Sequence, residues 1–295
     1  MSKRILVIGS ISIDNVTYTS ELPGPGTTVF GESFMSNIGG KGINQAFAIK
    51  NLDGDVMFYG AVGPDDNGKR VKDYINSHKM NVELKQSQKS TTGIASITID
   101  TKTAENRIVI VPGANLDINK EDIDKIDFSG FDFLLIQLEN PIDTVAYAMK
   151  MAKECGLIVL LNPAPYHEIP KSAYQYVDFF IPNEHELEGF TNDIKGDFEE
   201  RSKHLIKQGI KRVIVTLGEK GSLYVDEKQS FIVAPHKVNA IDTTAAGDSY
   251  CGAFVTALSE GKEIKEAMEF ASKASSITVT RKGAIASLPY RNDVE

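Results

Sequence analysis

The chain has 295 residues, 41% of them hydrophobic and 24% charged, with a formal net charge of −8 at pH 7. That length suits one large α/β domain with an appendage, and the composition is that of a soluble globular protein. An acidic chain without a Lys/Arg cluster argues against a nucleic-acid partner, and no apolar run approaches the length of a membrane span. The apolar run after MSKR is broken at Gly9, too soon for a signal peptide, so a cytoplasmic location is expected. Cys155 and Cys251 are too scattered for a disulfide framework and read as small buried hydrophobes.

RILVIG (4–9) reads as a buried strand, and Asp14 is taken to close it at its C-terminal end. Open α/β sheets bind ligands there, and a carboxylate can accept from two neighbouring hydroxyls. From 14 to 37 the chain alternates apolar and polar residues around a Pro/Gly turn. NIGGKGINQAFAIKNL (37–52) is a glycine-rich loop entering a helix. It lacks the GxxxxGK[ST] spacing, and GSIS after the first strand lacks GxGxxG, so neither a P-loop nor a dinucleotide site is indicated. Gly39 and Gly40 alone fit a plain turn equally well. Lys41 and Asn44, flanking Gly42, add donors near a helix N-terminus, where a polyhydroxylated ligand could bind.

DVMFYGAVG (55–63) is a second strand, followed by a helix near 66–78. TTGIASITIDTKTAENRIVIVPGAN (91–115) holds two alternating runs joined by a polar turn, a hairpin signature. Strands with one wet face belong outside the main sheet, so the inserts at about 14–38 and 91–111 are expected to form a small β-sheet lid. FDFLLIQL (131–138) is a strand with Glu139 just beyond it, and Ile142, Val145, Ala146 and Met149 mark the following helix. LIVLLNP (157–163), VDFFIPN (177–183) and RVIVTLG (212–218) are further apolar strands, with a helix carrying Phe198, Leu205 and Ile206 before the last. Near-continuous apolar strands separated by helices indicate a mostly parallel sheet with helices on both faces. Asn183 and Glu186 follow a strand and can bond phosphate or, through water, Mg²⁺. TLGEKGS (216–222), with Thr216, Gly218 and Gly221, is a turn suited to a nucleotide. The five histidines show no metal-ligand spacing and read as surface or capping residues.

IDTTAAGDSY (241–250) runs into a helix with Phe254, Ala257 and Leu258 in register. Helix N-termini bind anions, and the small residues Ala245, Ala246 and Gly247 let a ligand approach the backbone. An ordinary cap by Asp242 or Thr244 is the plain alternative. It leaves Asp248 unexplained, since a carboxylate repels the anion unless it takes a proton. Ile264, Ala267, Met268, Ala271 and Ala274 mark the last long helix.

GGKGINQA, Glu139, LNPAP, PNEHE, TLGEKGS, DTTAAGDSYCGAF and TRKGAIAS occur in the order seen in ribokinases of the phosphofructokinase-B sugar-kinase family, and the chain resembles that family over nearly its whole length. The resemblance implies one Rossmann-like α/β kinase domain over residues 1–295 with a discontinuous lid. It implies ATP-dependent phosphorylation of ribose, with Asp248 as general base and residues 245–247 as an anion hole. Sugar contacts carry over to Ser12, Asp14, Gly40, Lys41, Gly42, Asn44, Glu139 and Asp248. ATP contacts carry over to Asn183, Thr216, Gly218, Gly221, Gly247, Asp248 and Ser272. Mg²⁺ is expected at Glu186 through water. A monovalent cation, K⁺, is expected at Asp242, Thr244, Thr278, Arg281, Gly283 and Ser287, mostly through main-chain oxygens. The resemblance also implies a homodimer formed through the lid. Ser12 and Ser272 stand where relatives usually carry Asn. Kinases of 2-deoxyribose, another pentose or a nucleoside remain alternatives, as does an idle sugar- or nucleotide-binding regulator.

Overall fold

The computed structural model describes residues 3–103 and 105–295. Strand β1 (Ile5–Ile8) leads into β2 (Ser12–Thr19) and back along β3 (Gly31–Gly39) to helix α1 (Lys41–Asn51). Strand β4 (Val56–Val62), helix α2 (Asp66–Ser77) and strand β5 (Val82–Gln86) follow, and then the hairpin β6 (Gly93–Asp100) and β7 (Asn106–Val111). A short α3 (Lys120–Ile123) precedes β8 (Phe133–Ile136), α4 (Ile142–Glu154), β9 (Ile158–Leu161) and β10 (Phe179–Phe180). Next come α5 (Glu184–Phe190), α6 (Phe198–Lys207), β11 (Val213–Thr216), β12 (Ser222–Val225) and β13 (Ser230–Val233). Helices α7 (Ala246–Ser259), α8 (Ile264–Thr278) and α9 (Arg291–Val294) end the chain.

The main sheet has nine strands in the order β13-β12-β11-β10-β9-β8-β1-β4-β5. It is parallel except at the edge, where β12 and β13 turn antiparallel. Along β1 the side chains alternate between two cores. Ile5 and Val7 pack with α1, α7 and α8, while Leu6 and Ile8 pack with α4 and α6. Each such side chain contributes about 1.5–3 kcal/mol on burial, which is why these strands are apolar at every position. The expected α/β class with helices on both faces is therefore observed. Among the described residues no helix is long and apolar enough to cross a membrane.

A separate four-stranded sheet, β3-β2-β6-β7, is assembled from the two inserts. Its central pair, β2 and β6, is parallel, and its outer pairs are antiparallel. Residues in register share a face. Asp14, Ala95 and Ile110 therefore point one way together with Ile97 and Ile108, and Asn15, Ser96 and Val109 point the other.

Two sequence expectations are corrected. Asp14 does not close the first strand: β1 ends at Ile8, and Asp14 lies inside the lid strand β2, opposite Asn37 and Ala95. Ile11 and Ile13 prolong the apolar pattern past the turn at Gly9 and Ser10, which hid the boundary. Cys155 is exposed, whereas Cys251 is buried as expected. Strands β5, β12 and β13 and helix α5 were not anticipated from the sequence. They are short or lie towards a sheet edge, where apolar periodicity is weak.

Candidate active site

Central strand β1 has β4 on one side and β8 on the other, so the strand order reverses beside it. A crevice opens at such a switch point, beyond the carboxyl ends of the strands. Ser10 follows β1 and Glu139 follows β8, which brings both residues to that crevice. Ser10 Oγ donates to Glu139 Oε2, and the same carboxylate oxygen accepts the Lys41 backbone N–H at 3.1 Å. Glu139 thus sits on the positive N-terminal end of α1.

The glycines at that helix start are sterically required. A Cβ at Gly39 would lie 2.0 Å from Asp14 Oδ2, and one at Gly42 would lie 2.5 Å from the backbone of Gly9 and Ser10. Gly40 adds a φ of 103°, in the left-handed region, with Ser10 and Ser12 backbone atoms 2.9 Å from any Cβ. Gly42 therefore joins α1 to β1 and is absent from the cavity wall.

Above α1 lies a cavity of 550 Å³. Its polar floor is Ser12, Asp14, Gly40, Lys41, Asn44, Glu139 and Asp248, and its roof includes Ala95, Ile97, Ile108 and Ile110 from the lid. Ser12 Oγ donates to Asp14 Oδ1 at 2.7 Å. Asp248, at the start of α7, accepts from Asn44 Nδ2 at 2.9 Å on one oxygen and from Gln45 Nε2 at 3.0 Å on the other. An adjoining cavity of 190 Å³ shares Lys41, Ala245 and Asp248 with the first and adds Asn183, Glu186, Thr216, Ala246 and Gly247. Asp248 opens onto both.

Charge is concentrated where the two cavities meet. Burial pushes the Asp248 carboxyl up, against the pull of Lys41 and its two amide donors. Burial likewise raises Asp14, countered by the Ser12 bond and reinforced by Glu139 and Asp248. Burial alone would lower the Lys41 ammonium, but Asp248, Glu139 and Glu186 outweigh it and hold the group above its ordinary value. A buried cation amid carboxylates stays charged and can neutralise an incoming anion.

At α7, Ala245 takes a left-handed φ of 59°, and no side chain caps the helix. Asp242 is no cap: its carboxylate accepts from the Thr244 and Gly283 amides, both at 2.9 Å. Ala246 N donates to Thr243 O at 3.2 Å, and residues 245–248 at the start of α7 line the smaller cavity. A Cβ on Gly247 meets nothing within 4 Å, so packing does not demand this glycine, and the space beside it is open. Asn183 and Glu186 form a reciprocal capping box on α5, each side chain accepting the other's backbone N–H at 2.8 Å. Their pairing therefore has a structural purpose, and the second Glu186 oxygen remains for a ligand. Of the remaining nucleotide candidates, Thr216 lines the smaller cavity, whereas Gly218, Gly221 and Ser272 do not. Gly221 has φ 95° in the β11–β12 turn, and its Cβ would strike Val233 O at 2.1 Å, so the turn itself requires it.

The segment at 241–244 is joined to that after α8 by Ile241 N donating to Val279 O and by the Asp242–Gly283 bond. Several proposed cation ligands already have side-chain partners. Thr278 Oγ1 donates to Ser249 Oγ, Arg281 pairs with Asp293 at 3.2 Å, and Ser287 Oγ donates to Ala284 O. A cation there would rely on Asp242 and on main-chain carbonyls.

Residues 2–291 match the profile of the pfkB family carbohydrate kinases. The chain belongs to this family. It is 35% identical to a ribokinase of Schizosaccharomyces pombe, over 99% of this chain and 96% of that protein. It is also 35% identical to a deoxyribokinase of Salmonella typhi, over 97% of this chain and 95% of that protein. The structure of Arabidopsis thaliana ribokinase complexed with ribose and ATP superposes with a TM-score of 0.90 at 30% identity, covering 100% of this chain and 98% of that one.

Seen as a pfkB carbohydrate kinase, the site also contains residues that sequence reasoning missed. His167, expected at the surface, is exposed but lines the mouth of the larger cavity. Asn115 of PGAN mimics a strand partner: its side chain accepts from Ile11 N at 2.9 Å and donates to Ile11 O at 2.7 Å, fixing the entry to lid strand β2. Asn140, beside Glu139, donates to Asn115 O at 3.0 Å and so ties that junction to the site floor. The motif flagged PGAN, but no local spacing shows that its Asn meets residue 11.

Proposed function

We propose that this chain is an ATP-dependent ribokinase that transfers the γ-phosphoryl group of ATP to O5 of D-ribose, giving ribose 5-phosphate. The observation that carries this reading is Asp248, a buried carboxylate shared by the two cavities and set beside uncapped amides at the start of α7. Ribose occupies the larger cavity against Ser12, Asp14, Gly40, Lys41, Asn44 and Glu139, while Asn183, Thr216 and Gly247 hold the phosphates. Gly218, Gly221 and Ser272 lie towards the nucleoside. The O5–H bond breaks towards Asp248 as O5 attacks the γ-phosphorus, and the bond to the leaving ADP oxygen breaks. The anion hole of residues 245–247, through the free amides of Ala245 and Gly247, and the Lys41 ammonium stabilise the charge on the transferring group.

Two ions complete the reading. The second Glu186 oxygen would hold Mg²⁺ through water, and the ion would supply charge neutralisation of the ATP phosphates. K⁺ fits the Asp242 carboxylate and the carbonyls of residues 244 and 278–287, a hard-oxygen donor set; with Asp242 tied to Gly283, it would brace both segments behind the α7 N-terminus. Equal similarity to a ribokinase and a deoxyribokinase, with the Ser12 hydroxyl already committed to Asp14, supports a second reading in which 2-deoxyribose is also accepted. We place the protein in the cytoplasm as a homodimer formed through the lid, where Phe34 and Val109 expose 65% and 66% of their surface.

Asp248→Asn keeps size but cannot take a proton, so kcat should fall by on the order of 10²–10⁴ with ribose affinity retained. Near-wild-type turnover would remove Asp248 from the mechanism. Activity at saturating Mg²⁺ should rise when K⁺ replaces a bulky organic cation; equal rates would dispose of the cation site. The kcat/KM ratio of ribose to 2-deoxyribose should exceed one, and Ser12→Asn, which restores a donor and an acceptor, should widen it. A preference for any other sugar would leave only a broader sugar kinase. Ile97 faces the sugar cavity, so Val109→Lys on the opposite face is the cleaner probe of assembly. It should shift sedimentation towards monomer, and a wild type already monomeric at micromolar concentration would rule the dimer out.

A further inference from the structure

We infer that Gln45 is the positioning residue of Asp248, holding its carboxylate in register for proton transfer through a chain of buried side-chain amides. Gln45 is 0% exposed and lines neither cavity, so it has no ligand to touch. Its Nε2 donates at 3.0 Å both to Asp248 Oδ1 and to Asn162 Oδ1. Its Oε1 accepts from Gln137 Nε2 at 2.5 Å, and Asn162 Nδ2 passes the chain on to Ile181 O at 2.9 Å. The relay thus fastens α1 to α7 and to the chain just beyond β8, β9 and β10. It also gives the Asn of LNPAP a structural task.

Gln45 and Asn44 are consecutive on α1 and grip the two oxygens of Asp248 separately. One donor alone would let the carboxylate turn about its Cβ–Cγ bond, whereas two fix its plane. Asn44 also lines the sugar cavity, so its loss would mix binding with catalysis. Gln45 separates the two effects. The groups facing Asp248 are Lys41 from α1, Asp14 from β2, Glu139 after β8, Glu186 from α5 and Cys251 from α7 itself. Only Lys41 among them favours the ionised carboxylate, so the amide donors help keep the base unprotonated. Removing the Gln45 donor raises the pKa of Asp248. The base is then protonated over a wider range, and the acid limb of the rate profile moves to higher pH.

This inference rests on Asp248 being the general base, and the test keeps the two apart. Wild type, Gln45→Met, Gln45→Glu and Asp248→Asn are compared by steady-state kinetics across pH and by calorimetric ribose binding. Gln45→Met should lower kcat at neutral pH by on the order of 10–100-fold and move the acid limb up by about one pH unit. Its ribose Kd should stay within about twofold, which also reports an intact fold. Gln45→Glu keeps the shape and the acceptor for Gln137, so it remains informative if the Met variant misfolds. Its added negative charge should move the limb further. A kcat loss equal at every pH, or an unchanged kcat in the folded variants, overturns the positioning role. Near-wild-type turnover by Asp248→Asn defeats the general-base reading itself, whereas a strongly impaired Asp248→Asn beside unaffected Gln45 variants defeats only this inference.

Discussion

Gly42 lies against the backbone of Gly9 and Ser10, and any side chain at that point would force α1 away from the end of β1. The rest of the site depends on this contact. With α1 seated there, its first amide reaches Glu139, its Lys41 enters the carboxylate cluster, and Asn44 and Gln45 both reach Asp248 on α7. A displacement of one ångström would break most of these bonds, since hydrogen bonds weaken quickly beyond about 3.2 Å. Gly39 and Gly252 serve the same packing. The first leaves room for Asp14, and the second lets α7 approach α1, its Cβ position lying 2.6 Å from Ala48 Cβ.

Burial and charge oppose each other at the centre of the site. Desolvation raises both Asp14 and Asp248, and an isolated buried carboxylate would simply take up a proton. Lys41, the Ser12 hydroxyl and the amides of Asn44 and Gln45 work against that outcome. The resulting balance suits a group that must be ionised before the reaction yet accept a proton during it. Folding alone would be served as well by an apolar core at these positions, which fits the chemical purpose proposed for the polar cluster.

The lid has a different origin. Its strands have one face over the larger cavity and the other away from it, which accounts for the alternating pattern of both inserts. Asn115 bonds Ile11 in the manner of a paired strand, and Asn140 bonds Asn115 in turn. The start of lid strand β2 is therefore attached to the segment that carries Glu139.

The sequence by itself determined what depends on neighbours along the chain. Apolar runs such as LLI in β8 marked the buried strands, alternation marked the lid, and small residues before α7 marked an open helix end. These signals are local because strand and helix periods extend over only a few residues. The motifs GGKGINQA and DTTAAGD located most of the cavity floor for the same reason. Tertiary structure alone decided which side chains meet. Gln45 reaches Asp248 across 203 positions and Asn162 across 117, and Asn115 reaches Ile11 across 104. Side-chain amides have no periodicity, and only packing brings their donors and acceptors within 3 Å. The same holds for Asp14: its carboxylate could be read as a ligand group, but only strand pairing put it in the lid rather than at the end of β1.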